Sequence, residues 1–235
     1  SSTDIALLDY VEQNDSSSGH DTGIPDNICY AIELGQYSKA WSGTKYPAII
    51  GTRQPGASAG FSLQHSGKAT GGYFMQRVSN KYTYTRNLAL STSSMNTYVF
   101  TNLVFSHNGT VYGPNTGAST WMTPLGTTGM NMCMGRFPEQ EPTMVYQSRW
   151  YYLRLYGSDS SALLDYVPAK RKSDGVAGFY DRAAVKFVTP SDGGAFAGGT
   201  VTNDEFTVAA TAVSGICSFP RLARVPAVTT LDTSD

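Results

Sequence analysis

The sequence predicts an all-β protein whose two antiparallel sheets pack face to face, with little helix. Three observations predict it. Apolar and polar residues alternate with a period of two in successive short runs, of which Phe61-Ser-Leu-Gln-His65 is typical. Asn108-Gly109 stands between Tyr98–His107 and Thr110–Tyr112, and Asn-Gly supplies both positive φ values of a type I′ hairpin turn. No segment longer than about 10 residues keeps a 3.6-residue apolar period without Gly or Pro.

In chain order, Ile5–Val11 reads as one pairing strand with Asp9 inside it, followed by a polar loop over Asn14–Gly19. Strands are expected over Cys29–Leu34, Ala48–Thr52, Phe61–His65, Gly71–Val78 and Tyr82–Arg86, with a turn-rich loop over Gln54–Gly60. Tyr98–His107 reads as an unbroken strand. Its Val99, Thr101, Leu103 and Phe105 then face the core, and Phe100, Asn102, Val104 and Ser106 face away. Met130–Met134 is a short strand before the polar loop Arg136–Pro142. Gln147–Phe187 supplies a strong strand, a polar turn, a run ending at Pro168, a basic loop and a third strand. If the alternation over Trp150–Tyr156 is uninterrupted, Tyr151, Leu153 and Leu155 are core. Trp150, Tyr152, Arg154 and Tyr156 then share the opposite face; one bulge would swap the two sets.

The composition sets limits on partners. The chain has 235 residues and a formal net charge of −1. Charged residues are 15%, below the usual figure of about 25%. No electrostatic footprint for nucleic acid exists, and no apolar run approaches the roughly 20 residues of a membrane span. The Ser1-Ser2-Thr3 start shows no basic and apolar targeting segment, so the expectation is that one was removed or that none existed. Cys29, Cys133 and Cys217 include no Cys-x-x-Cys pair. Buried free thiols are expected rather than a disulfide framework or thiolate zinc site, with a single bridge left open. One β-sandwich domain over 1–235 is expected, with 200–235 as a C-terminal extension packed on it.

A resemblance enters with particular residues. These are Tyr151-Tyr-Leu-Arg-Leu-Tyr156, a polar turn, and Asp165-Tyr-Val-Pro-Ala-Lys-Arg-Lys-Ser-Asp-Gly-Val-Ala-Gly-Phe-Tyr-Asp181. Together they resemble the closing half of laminin G-like, concanavalin A-like jelly-roll domains of the kind found in bacterial surface proteins and phage structural proteins. Leu8-Asp-Tyr-Val-Glu12 and Asp21-Thr-Gly-Ile24 resemble that group's opening strand and turn. The likeness spans about residues 5–200. It implies a jelly-roll sandwich and an extracellular, cell-surface or virion setting; no cofactor is expected, with Ca²⁺, which such relatives often bind, as the one candidate. Loop carboxylates are the ligands so implied: Asp159 and Asp174 first, with Asp15, Asp21 and Asp192 as further candidates. Each also suits ordinary turn chemistry.

Catalysis has little to build on. Glu139-Gln-Glu141 is the one spacing comparable to paired glycosidase carboxylates, about 7 Å apart on a strand, but Pro138 and Pro142 favour a solvated loop. His20, His65 and His107 lack local partners, and neither Gly-x-Ser-x-Gly nor a phosphate loop occurs. Lys170-Arg-Lys172, beside Asp165, Asp174 and Asp181, reads as a salt-linked loop. No catalytic residue is assigned. Trp121, Trp150, Tyr152 and Tyr156 are flat rings of the sort a sugar stacks on, as is Trp41. Arg154 and Asn102 could donate hydrogen bonds beside them. The leading expectation is a non-catalytic surface recognition module that binds carbohydrate. The alternatives are a structural or decoration subunit contacting other protein chains of an assembly, and, more weakly, a glycoside hydrolase.

Overall fold

The computed structural model describes residues 4–13, 19–38, 48–52, 59–65, 71–78, 81–85, 88–114, 120–137 and 148–202. Asp15, Trp41, Glu139, Glu141, Cys217 and the expected extension beyond residue 202 lie outside them. The fold is all-β with two sheets. Among the described residues no helix is long and apolar enough to cross a membrane.

The strands are β1 (Ile5–Leu7), β2 (Val11–Gln13), β3 (His20–Pro25), β4 (Ala31–Ser38), β5 (Ala48–Gly51), β6 (Gly60–His65), β7 (Gly71–Val78), β8 (Lys81–Tyr84) and β9 (Leu88–Ala89). They continue as β10 (Asn96–Thr101), β11 (Val104–His107), β12 (Thr110–Tyr112), β13 (Asn131–Met134), β14 (Ser148–Tyr156), β15 (Ala162–Arg171), β16 (Ala177–Asp181), β17 (Lys186–Val188) and β18 (Phe196–Gly198). One sheet runs β3-β13-β5-β6-β7-β8, with β9 beside β7. The other runs β1-β15-β16-β18-β2-β14-β4-β10-β11-β12, with β17 on β16. Because β14 also pairs with β15, the strands β14, β15, β16, β18 and β2 close into a small barrel at one end.

The two sheets share one core. Phe74 of β7 stacks on Phe105 at 4.2 Å and Phe100 at 5.3 Å, across the gap between sheets. Trp121 meets Phe74 edge-on at 5.0 Å. Trp150, Leu153 and Leu34 continue this core toward the barrel, where Tyr166 stacks on Phe179 at 5.2 Å and Phe196 meets it edge-on.

Four sequence expectations need correction, each for a local reason. Ile5–Val11 is two strands on different partners, because Asp9 interrupts it: its Oδ1 accepts from Tyr10 N at 2.9 Å and Thr200 N at 2.7 Å. Tyr98–His107 is broken by a second two-residue turn, Asn102-Leu103, with φ of 49° and 61°. Folding there sets Phe100 opposite Phe105. Tyr98, Phe100, Phe105 and His107 therefore face inward, while Val99 and Leu103 do not. The Asn108-Gly109 hairpin is present, pairing His107 with Thr110. The run expected to end at Pro168 continues to Arg171. One edge of β15 serves β14 through Tyr166 and β1 from Ala169, so Pro168, which has no N–H, sits where the partner changes. Finally, β14 carries a bulge between Trp150 and Tyr152 against β4. Trp150 is consequently a core residue at 1% exposure, and Tyr151, expected in the core, lies with Tyr152 on the outer side.

Buried polar groups tie the loops to the sheets. Gln76 holds the 121–125 loop: its Nε2 donates to Met122 O and Leu125 O, and its Oε1 accepts from Met122 N. Cys29 and Cys133 are free and buried, and burial pushes both thiols up to about 12. Both should resist alkylation at neutral pH until the chain unfolds, and reductant should leave the melting temperature unchanged. A fall of more than about 10 °C would instead reveal a bridge contributing a few kcal/mol.

Burial also lowers the pKa of His20, His65 and His107 to about 4. A histidine kept neutral in the fold but protonated below about 6.5 when unfolded contributes stability at neutral pH. That stability is lost as pH falls from about 6.5 toward 4. Urea titrations at pH 7 and 5 should differ by on the order of 2 kcal/mol for each of His20 and His65.

Candidate functional site

The outer face of β2, β14, β4 and β10 carries the exposed part of the predicted set. Opposite the core side chains of β14 stand Arg149, Tyr151, Tyr152 and Arg154, all partly exposed. The bulge explains why two adjacent tyrosines share this face. Arg149 lies 4.3 Å over the ring of Tyr10 and 5.6 Å from that of Tyr37, and its Nε donates to Glu12 Oε2 at 2.6 Å. Tyr151 meets Tyr10 edge-on at 6.1 Å.

Further along the strand, Tyr152 lies over Gly35, its register partner. A Cβ on Gly35 would fall 2.5 Å from the tyrosine ring and 2.9 Å from Met95 Sδ, so the missing side chain is what lets the ring settle on the sheet. Arg154 sits 5.1 Å from the same ring. It donates to Glu33 at 3.0 Å and Asp165 at 3.2 Å, while Arg182 holds Asp165 at 2.7 Å. Their side chains are 15–21% exposed, and the desolvation of part-buried charges offsets much of their attraction. This network therefore fixes the position of Arg154 more than it stabilises the fold.

The remaining predicted contacts are placed elsewhere. Trp150 and Trp121 are core residues at 1% and 4% exposure, and the indole of Trp121 donates to Tyr112 O. Tyr156 follows the phase of Arg154 but is 5% exposed, so neither its ring nor the two indoles present a face to solvent. Its hydroxyl is pushed up to about 12 by burial, with Glu33 adding to the effect. Asn102 is exposed in its turn, at the end of the sheet where β14 also ends.

Asp159 and Asp174 are not brought together. They flank the ten-residue strand β15 at opposite ends, roughly 30 Å apart at strand rise. Asp159 accepts from the backbone and hydroxyl of Ser161, which hold its carboxyl below the usual range. Asp174 is held low by Arg171, with Val176 N as a further donor. Their oxygens are spent on turn and ion-pair chemistry and do not fit the implied Ca²⁺ pair. Asp192 is likewise engaged by Arg136, and Asp21 by Gly23 N. Among the described residues no group of three His, Cys, Asp or Glu could hold a metal ion.

No protein-family model matches this chain, and no curated protein sequence matches it. The site is therefore read from its own geometry. Sequence reasoning found Tyr152 and Arg154 but missed Tyr10, Tyr37, Arg149 and Tyr151. Tyr10 and Arg149 had a signal in the sequence, as amphipathic side chains beside and within predicted strands. That they converge depends on pairing β2 and β4 with β14, which is set by contacts distant in sequence.

Proposed function

We propose that this protein is a non-catalytic surface recognition module that binds carbohydrate through the outer face of β2, β14 and β4. One observation carries the reading: Tyr10, Tyr37, Tyr151 and Tyr152 lie partly exposed along one strip, with Arg149 and Arg154 held among them by Glu12, Glu33 and Asp165. Tyrosine rings supply flat apolar area with a polar tip, and fixed guanidinium groups donate to sugar hydroxyls at little further entropic cost. The two-sheet all-β architecture agrees with the coarser part of the concanavalin A-like resemblance; the extracellular, cell-surface or virion setting is proposed from that resemblance alone.

A second reading is favoured by a different observation. β12 ends its sheet, and Leu103, Val104 and Val111 on this hairpin are 45%, 44% and 65% exposed. A strand edge with no neighbour among the described residues, beside apolar side chains, suits pairing with another chain in an assembly. A glycan array run beside a mass measurement in solution separates the two. The first reading predicts a monomer that retains a defined group of glycans. A stable oligomer with no glycan retained supports the structural reading instead.

A further inference from the structure

At the end of the sheet away from Arg149, a strand start, two turns and a loop converge on a cleft of about 300 Å³. Its lining comes from the start of β4 (Tyr30, Ala31), the β10–β11 turn (Thr101 to Leu103), the β14–β15 turn (Gly157, Ser158, Ser160) and Thr123. The walls are fixed independently. Tyr30 N donates to Tyr156 O at 2.8 Å, Leu125 N to Cys29 O at 2.7 Å, and Gly157 N to Ser161 O at 2.9 Å. Asn102, Leu103 and Ser160 hold left-handed backbone, with φ of 49°, 61° and 64°.

We infer that this cleft binds one neutral sugar ring, as a site separate from the tyrosine strip. Three features select that ligand. Among the described residues no charged side chain lines the cleft, so none of them offsets a carboxylate, phosphate or ammonium. Hydroxyls of Thr123, Ser158 and Ser160, the amide of Asn102 and the ring of Tyr30 supply neutral donors and acceptors beside one flat surface. The volume lies at the low end of ligand pockets, which begin at about 300 Å³, and suits a single ring rather than an oligosaccharide.

Thr101 adds an independent sign. Its Oγ1 is shielded from solvent and has no hydrogen-bond partner among the described residues. Such a group is costly in the empty protein, and a turn about χ1 would offer it to a ligand hydroxyl. A ligand this small should bind with a dissociation constant on the order of millimolar.

The test is an NMR titration of the full chain with glucose, galactose, mannose and N-acetylglucosamine, and with glucuronate and sialic acid as charged counterparts. At least one neutral sugar should give saturable shifts at the amides of Tyr30, Asn102 and Ser158, and the charged sugars should give none. Asn102→Gly keeps the left-handed turn while removing the amide, and Ser158→Ala removes one hydroxyl. Each should weaken binding roughly 2- to 10-fold, the share of one hydrogen bond. Thr101→Val should raise the melting temperature yet weaken binding; a merely structural hydroxyl would change the first alone. Tyr152→Ala should leave these shifts intact, so that failure of the strip and failure of the cleft are told apart. The inference is overturned if no neutral sugar gives saturable shifts, if shifts map only to the strip, or if charged sugars bind equally well.

Discussion

Trp150→Ala is expected to destabilise the protein by about 3–5 kcal/mol, the cost of removing a large buried aromatic ring. The indole is 1% exposed and belongs to the shared core with Leu34 and Leu153. Leu153→Ala should cost about 2–5 kcal/mol for the same reason, since Leu153 is fully buried. Tyr152, two residues from Trp150, should behave differently. Its ring lies on the outer side of Gly35 with Arg154 and Met95, so Tyr152→Ala removes surface contacts and should cost only about 1 kcal/mol. Urea unfolding of the three variants checks the bulge directly. An uninterrupted β14 would put Trp150 and Tyr152 on one face, with similar costs.

Asp26→Ala is the second large expected loss, about 3–5 kcal/mol, through hydrogen bonds rather than volume. Asp26 is fully buried at the 3₁₀ turn Asp26–Ile28. Its carboxyl group accepts from Thr52 Oγ1 at 2.7 Å, Thr128 Oγ1 at 2.7 Å, Thr128 N at 3.1 Å and Gly129 N at 2.9 Å. One side chain thus joins the end of β5, the end of β3 and the loop before β13. Gly126 leaves room for it: a Cβ there would fall 2.1 Å from Asp26 Oδ2. Removing the carboxyl leaves four donors without it, of which the buried Thr52 hydroxyl is the costliest to leave unmade. Thr52→Val and Thr128→Val should each cost about 1 kcal/mol. If Asp26→Ala melts like the wild type, the carboxyl is not the anchor of this corner.

The fold class was legible because period-two patterning and Asn108-Gly109 are local signals. The errors came from signals that are weak or distant. Asn102-Leu103 makes the same kind of turn as Asn108-Gly109, but Leu in place of Gly hides it, since a bulky residue rarely adopts positive φ. The bulge at Tyr151 has no residue signature at all: Tyr-Tyr continues the strand chemistry, and only pairing with Gly35 and Gln36 reveals the extra residue. The barrel closure depends on Phe196, Ala197 and Gly198 pairing with β2, over 180 positions away in the chain. As for the site, Tyr152 and Arg154 were legible as large amphipathic residues on one strand. Trp121, Trp150 and Tyr156 were not distinguishable from them, because composition does not say which rings face water.

The most direct measurement is affinity electrophoresis of wild type and Tyr152→Ala through a gel containing a glycan selected by the array. The outer-strip reading predicts retardation of the wild type and its loss in the variant. An aromatic anchor contributes about 2 kcal/mol or more, roughly 30-fold in affinity, while the two melting temperatures stay within a few degrees. Equal retardation of both proteins would contradict it.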